Sequence, residues 1–128
     1  MREIIKTDQA PQAIGPYSQA IKVSCGRIVY CSGQIPLDPK TGQIVGQTSA
    51  EQCKQVMENI KELLAAAGSN LGQVVKTTIF LTDMSDFASV NEVYGSYFPW
   101  NPPARSTVQV CRLPKDVQIE IEVIAVQE

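Results

Sequence analysis

The chain has 128 residues and no histidine, so other groups must carry its chemistry. A Ser-His-Asp or Cys-His nucleophilic arrangement is excluded. Proton transfer falls to carboxylates, Lys, Tyr, Cys, backbone or water. Two residues stand out by type and placement. Arg105 follows Pro102, Pro103 and Ala104 and enters a β-rich segment. Held rigidly at a loop–strand junction, an arginine offers a planar fork that grips a carboxylate through two hydrogen bonds. The plainer alternative is a surface ion pair of little energetic weight. Glu120 lies between Ile119 and Ile121 in a strand-like run. In solvent it is the polar side of an amphipathic strand; half-buried, it can position and deprotonate a water. Ser32-Gly33-Gln34 precedes Pro36. Glycine there marks a bend, a bulge, or close approach of backbone to a ligand.

Composition removes other classes. Cys25, Cys31, Cys53 and Cys111 form no CxxC pair; without clustered Cys and His, no metal site is expected. They read as buried thiols in a reducing compartment. The net charge of −2 and absence of a Lys/Arg run give no electrostatic footprint for nucleic acid. The glycines match neither a phosphate loop nor a dinucleotide fingerprint. The first ten residues carry no apolar h-region. No apolar run approaches the ~20 residues of a membrane span, so a cytoplasmic protein without a membrane partner is expected.

The elements that must hold these residues follow from periodicity. Cys53, Val56, Met57, Ile60, Leu63, Leu64 and Ala67 repeat at helical spacing and predict a helix over Ser49 to Ala67. Ser49 with Gln52 reads as its capping box and Gly68 as its C′ residue. A second helix is predicted from about Asp86 to Tyr97, with Phe87, Val90, Tyr94 and Tyr97 on its apolar stripe. Ser85 or Asp86 would cap it, and Asn101-Pro102-Pro103 forbids its continuation. Strands are predicted near Ile4–Lys6 and over 17–23, 27–32, 74–82, 106–112 and 117–126, with a hairpin turn at Ser24–Gly26. The order is β-β-β-α-β-α-β-β, and each helix is a crossover, which puts both helices on one face of a sheet.

The last strand then raises a question of coverage. Ile119, Ile121, Val123 and Ala125 point one way; Glu120, Glu122, Ile124 and Val126 point the other. Two helices cover one face only, so the partly apolar free face predicts oligomerisation. Glu120 and Glu122 would lie at or beside the subunit interface.

Four segments together resemble the RidA/YjgF family of reactive-intermediate deaminases. They are Ala10 to Ala20 (APQAIGPYSQA), Ser32-Gly33-Gln34-Ile35-Pro36, Asp86 to Tyr94 (DFASVNEVY), and Pro103-Ala104-Arg105-Ser106-Thr107-Val108. The last runs on through Leu113-Pro114-Lys115-Asp116 to Ile119-Glu120-Ile121-Glu122. The resemblance covers nearly the whole chain and implies one RidA/YjgF-type domain over residues 1–128. It implies an α+β, chorismate-mutase-like fold with two helices packed on one face of the sheet. The other face would assemble a homotrimer with ligand clefts between subunits. The implied activity is hydrolysis of 2-imino acids such as 2-iminobutanoate and 2-iminopropanoate to 2-keto acids and ammonia, with no cofactor and no metal. By this resemblance Arg105 binds the substrate carboxylate and Glu120 hydrogen-bonds a water or the ligand near the reacting carbon. Gly33 touches the ligand through its backbone, and Tyr17, Ser32, Phe87 and Asn91 line the pocket. One departure matters: many family members carry Cys where this chain has Thr107. A backbone contact survives that change, whereas a mechanism needing a thiol does not.

Three other readings use the same features. A regulatory trimer that binds 2-keto acids with little turnover would need the same Arg105 pocket. Ribonuclease or translation-inhibitor activity is disfavoured by the missing histidine and a pI of about 5.1. Chorismate mutase chemistry needs several cations around a dicarboxylate, and Arg105 alone is suitably placed.

Overall fold

The computed structural model describes residues 2–128. The element order follows the sequence pattern: β1 (Arg2–Ile5), β2 (Ala20–Val23), β3 (Arg27–Gln34), α1 (Ser49–Ala66), β4 (Val74–Leu81), α2 (Phe87–Tyr97), β5 (Ala104–Gln109) and β6 (Ile119–Gln127).

The α1 register is set by burial of Cys53, Val56, Met57, Ile60 and Leu64, the last four each worth about 1.5–3 kcal/mol as a large apolar side chain leaving water. Leu63 stays 38% exposed and lies outside that face. The capping box sits one residue earlier than the sequence suggests. Thr48 Oγ1 accepts from Glu51 N, and the Glu51 carboxylate accepts from Thr48 N. Ser49 and Gln52 are committed elsewhere: the Ser49 hydroxyl donates to the Asp86 carboxylate, and Gln52 Oε1 accepts from Gln118 N at 2.8 Å. Those bonds tie the start of α1 to the start of α2 and the entry to β6. Gly68, at φ +75°, takes the left-handed position that follows the helix end. A 3-10 turn over Met84–Asp86, capped by Asp83 accepting from Ser85 N, leads into α2; Asp86 takes the N-cap position of α2, as the sequence suggests, but its side chain makes no cap hydrogen bond there.

Strands β3, β6, β4 and β5 form one sheet in that order, while β1 and β2 pair as a separate two-stranded ribbon. The expected hairpin at Ser24–Gly26 is therefore a turn between strands of different sheets. β2 takes β1 as its partner and β3 takes β6. β6 is antiparallel to both neighbours, whereas β4 and β5 run parallel across the α2 crossover. β5 begins at Ala104 and ends at Gln109, where its ladder with β4 stops at Leu81. Cys111 thus falls in the loop beyond it and is exposed, as is Cys25 in the turn after β2; only Cys53 among the four is fully buried.

The helices cover the face carrying Thr77, Ile79 and Leu81 of β4 and Ile119, Ile121, Val123 and Ala125 of β6, all at most 1% exposed. Lys76, Thr78 and Phe80 lie on the other face, with Glu120, Glu122 and Ile124 registered beside them. Ile28 and Tyr30 of β3 remain 57% and 74% exposed, so this face keeps an uncovered apolar component. Val126 breaks the alternation in burial, being 1% exposed.

Candidate active site

Arg105 is the second residue of β5 and registers with the fully buried Thr77. That parity turns its side chain toward α2. The i, i+4, i+7 spacing of Phe87, Asn91 and Tyr94 puts all three on one helical face, and that face meets the guanidinium. Arg105 Nη1 donates to Asn91 Oδ1 at 2.6 Å. Its guanidinium carbon lies 5.1 Å from the Tyr94 ring centroid, 5.4 Å from Phe87 and 5.5 Å from Tyr17. Three ring faces around one cation favour its charge and fix its plane. Burial lowers the Arg105 pKa, opposed by Tyr94 and Tyr17; arginine remains a cation there.

The floor of the box is itself fixed. The Tyr94 hydroxyl is hydrogen-bonded to Thr77 Oγ1 at 2.8 Å, and burial pushes its pKa up to about 12, so the phenol is neutral. Tyr17 arrives on the loop before β2. Ser18 anchors that loop through its N–H to the Pro103 carbonyl and its hydroxyl to the Pro102 carbonyl. Ile14 N donates to the Tyr17 hydroxyl at 3.3 Å. Together Ile14, Gly15, Tyr17, Phe87, Asn91, Arg105 and Thr107 line a cavity of about 250 Å³, slightly below the ~300–1,000 Å³ of pockets for drug-sized ligands. A cavity with a half-buried, oriented guanidinium and aromatic walls can hold a small carboxylate.

Glu120 stands elsewhere. It registers with Phe80, three residues along β4 from Thr77, and so projects from the opposite face to Arg105. Two strand spacings also separate β6 from β5 in the sheet, about 10 Å in all. Gly33 lies where the β3–β6 register shifts between Cys31 and Gln34. A Cβ on Gly33 would meet the Glu120 Oε2 at 1.9 Å, so a side chain there would force that carboxylate out of its present position. Ser32 is the exposed neighbour of Gly33 in the same bulge. Burial, then repulsion from Glu122, raises the Glu120 pKa above the usual carboxylate value.

The structure therefore sorts the sequence candidates into two groups. Tyr17, Phe87, Asn91, Arg105 and Thr107 share one pocket, while Ser32, Gly33 and Glu120 share a second locus on the other face of the sheet. Sequence reasoning left Tyr94 in the apolar stripe of α2. Its spacing from Phe87 and Asn91 was the available signal for its place beneath Arg105. Among the described residues no cluster of His, Cys, Asp and Glu could hold a metal ion, and no helix is long and apolar enough to cross a membrane.

Comparison with known proteins bears on this geometry. The family model described as Endoribonuclease L-PSP matches residues 7–127. A RutC family protein of Pyrococcus horikoshii is 56% identical over the full length of both chains. The human protein named 2-iminobutanoate/2-iminopropanoate deaminase is 51% identical, across 99% of this chain and 91% of its own. Among solved structures, E. coli TdcF with bound serine is 47% identical with a TM-score of 0.76, covering 98% of this chain and 99% of its own.

Proposed function

The chain belongs to the RidA/YjgF family, also described as Endoribonuclease L-PSP proteins, and from that premise we propose that it hydrolyses 2-imino acids such as 2-iminobutanoate and 2-iminopropanoate to 2-keto acids and ammonia. The observation that carries the reading is the Arg105 guanidinium, oriented by Asn91 and three aromatic rings at the wall of a small cavity. Arg105 grips the substrate carboxylate and so places the imine carbon. A water held by Glu120 gives a proton to the Glu120 carboxylate as its oxygen bonds to the carbon; the C=N π pair passes to nitrogen, which takes up that proton from Glu120 to give the neutral carbinolamine. The carbinolamine then collapses: its hydroxyl loses a proton, the C–N bond breaks, and the nitrogen leaves as ammonia with a proton returned through Glu120 or water. Positioning with acid–base assistance of ~10²–10⁴-fold suffices for a reaction that water alone performs slowly.

The two loci face opposite ways in one chain, so Glu120 of a neighbouring subunit completes the pocket around Arg105. A homotrimer packed through the open sheet face, with its exposed Ile28 and Tyr30, accommodates that arrangement. The test is imine hydrolysis by Arg105→Ala, by Glu120→Ala, and by trimers reassembled from both. Each variant alone should be inactive, and mixed trimers should recover activity at interfaces that pair an intact Arg105 with an intact Glu120. Wild-type turnover by Arg105→Ala overturns the carboxylate clamp. Inactive mixed trimers place both groups in a single chain's site.

A further inference from the structure

One atom in the Arg105 pocket has no assigned work. Thr107 Oγ1 is the one buried side-chain nitrogen or oxygen among the described residues without a hydrogen-bond partner. Thr107 registers with the buried Ile79, shares its face of β5 with Arg105, and lines the same cavity. A buried hydroxyl with no partner is costly and uncommon in folded proteins. It makes no hydrogen bond in its resting rotamer, so a turn about Cα–Cβ that brings the oxygen to the cavity wall gives up none.

The neighbouring groups narrow what it would meet. The guanidinium is a donor only, Asn91 Oδ1 already accepts from Arg105, and the Tyr17 hydroxyl already accepts from Ile14 N. Asn91 Oδ1 and the Tyr17 hydroxyl each have one donor already, whereas Thr107 Oγ1, on a residue that lines this pocket, has none and gains most from a ligand N–H. A substrate with a carboxylate at one end and an N–H at the other needs both kinds of group. We infer that the Thr107 hydroxyl accepts the substrate's N–H, and so selects nitrogen-bearing 2-substituted acids over simple carboxylates once Arg105 has bound the carboxylate. This rests on the imine-hydrolase reading above.

The test uses Thr107→Val, which keeps the branched shape suited to a strand, and Thr107→Ser, which keeps the hydroxyl. Imine hydrolysis is measured with calorimetric binding of 2-aminobutanoate and of butanoate, which lacks the nitrogen. In Thr107→Val, kcat/KM and 2-aminobutanoate affinity should fall about tenfold, the worth of one hydrogen bond. Butanoate affinity should stay within about twofold, a change too small to represent a lost hydrogen bond. The melting temperature should be unchanged or higher, because no protein bond is lost. Thr107→Ser should retain wild-type behaviour. If Thr107→Val keeps the wild-type preference for 2-aminobutanoate, loses butanoate in proportion, or melts lower, the hydroxyl serves the protein and the inference falls alone. If the wild type neither hydrolyses the imine nor binds either acid, the hydrolase reading falls and takes this inference with it.

Discussion

Replacing Arg105 with lysine keeps the positive charge and removes the fork. In the structure one guanidinium N–H is spent on Asn91 at 2.6 Å, and the plane is set by rings at 5.1–5.5 Å. The remaining N–H groups are free to meet a carboxylate in pairs. An ammonium is a point donor and cannot hold Asn91 and both carboxylate oxygens in one geometry. The loss is at least one charge-assisted hydrogen bond, about 1.5–3 kcal/mol. At about 1.36 kcal/mol per factor of ten, kcat/KM should fall about 10- to 150-fold. Because the carboxylate does not change during the reaction, most of the loss should enter through KM. The assay generates 2-iminobutanoate in place with an amino-acid oxidase and follows its disappearance. Arg105→Ala, which removes the charge as well, should lose more. A lysine variant within about threefold of wild type, too little for a lost charge-assisted bond, refutes the bidentate argument even if alanine is inactive.

Three further outcomes follow from the same geometry. Gly33→Ala places a Cβ 1.9 Å from the present position of Glu120 Oε2, so the carboxylate must move; activity should fall sharply with circular dichroism unchanged. Glu122→Gln removes the like charge that helps raise the Glu120 pKa. Glu120 must be ionised to take a proton, so activity is lost as pH falls through that raised value. The variant's acid limb should move to lower pH, and an unmoved or raised limb contradicts the assignment. Tyr94→Phe leaves the fully buried Thr77 hydroxyl without its partner, costing about 1–3 kcal/mol, read as a lower thermal unfolding midpoint.

The legible part of this protein was its element order, because hydrophobic period is written residue by residue. α1, α2 and β6 follow directly from that period. Tertiary choices were less visible. The hairpin signal at Ser24–Gly26 is local, whereas the pairing of β3 with β6 joins segments nearly a hundred positions apart, about which the turn says nothing. The capping box moved to Thr48 because Ser49 and Gln52 bond to residues of α2 and the β6 entry, partners that no local motif reveals. Cys111 reads as a buried thiol from the scatter of the cysteines alone; β5 stops at Gln109, where β4 runs out of partners, and leaves it exposed in the loop beyond. At the candidate site, residue types single out Arg105 and Glu120, but the opposite parity of Thr77 and Phe80 in β4 separates them within one chain. That separation depends on register, which is fixed only when strands meet.

The sheet order also governs how the chain can be made. β6 is the last strand in sequence yet lies between β3 and β4. As the polypeptide emerges from the ribosome, β4 and β5 can join across α2 within a short span. β3 has no edge to dock against until residues 119–127 are released. Sheet closure therefore waits for the synthesis of residues 119–127, and the nascent chain presents unpaired strands in the interval. Premature stop codons before β6 should yield aggregation-prone fragments rather than smaller folded domains.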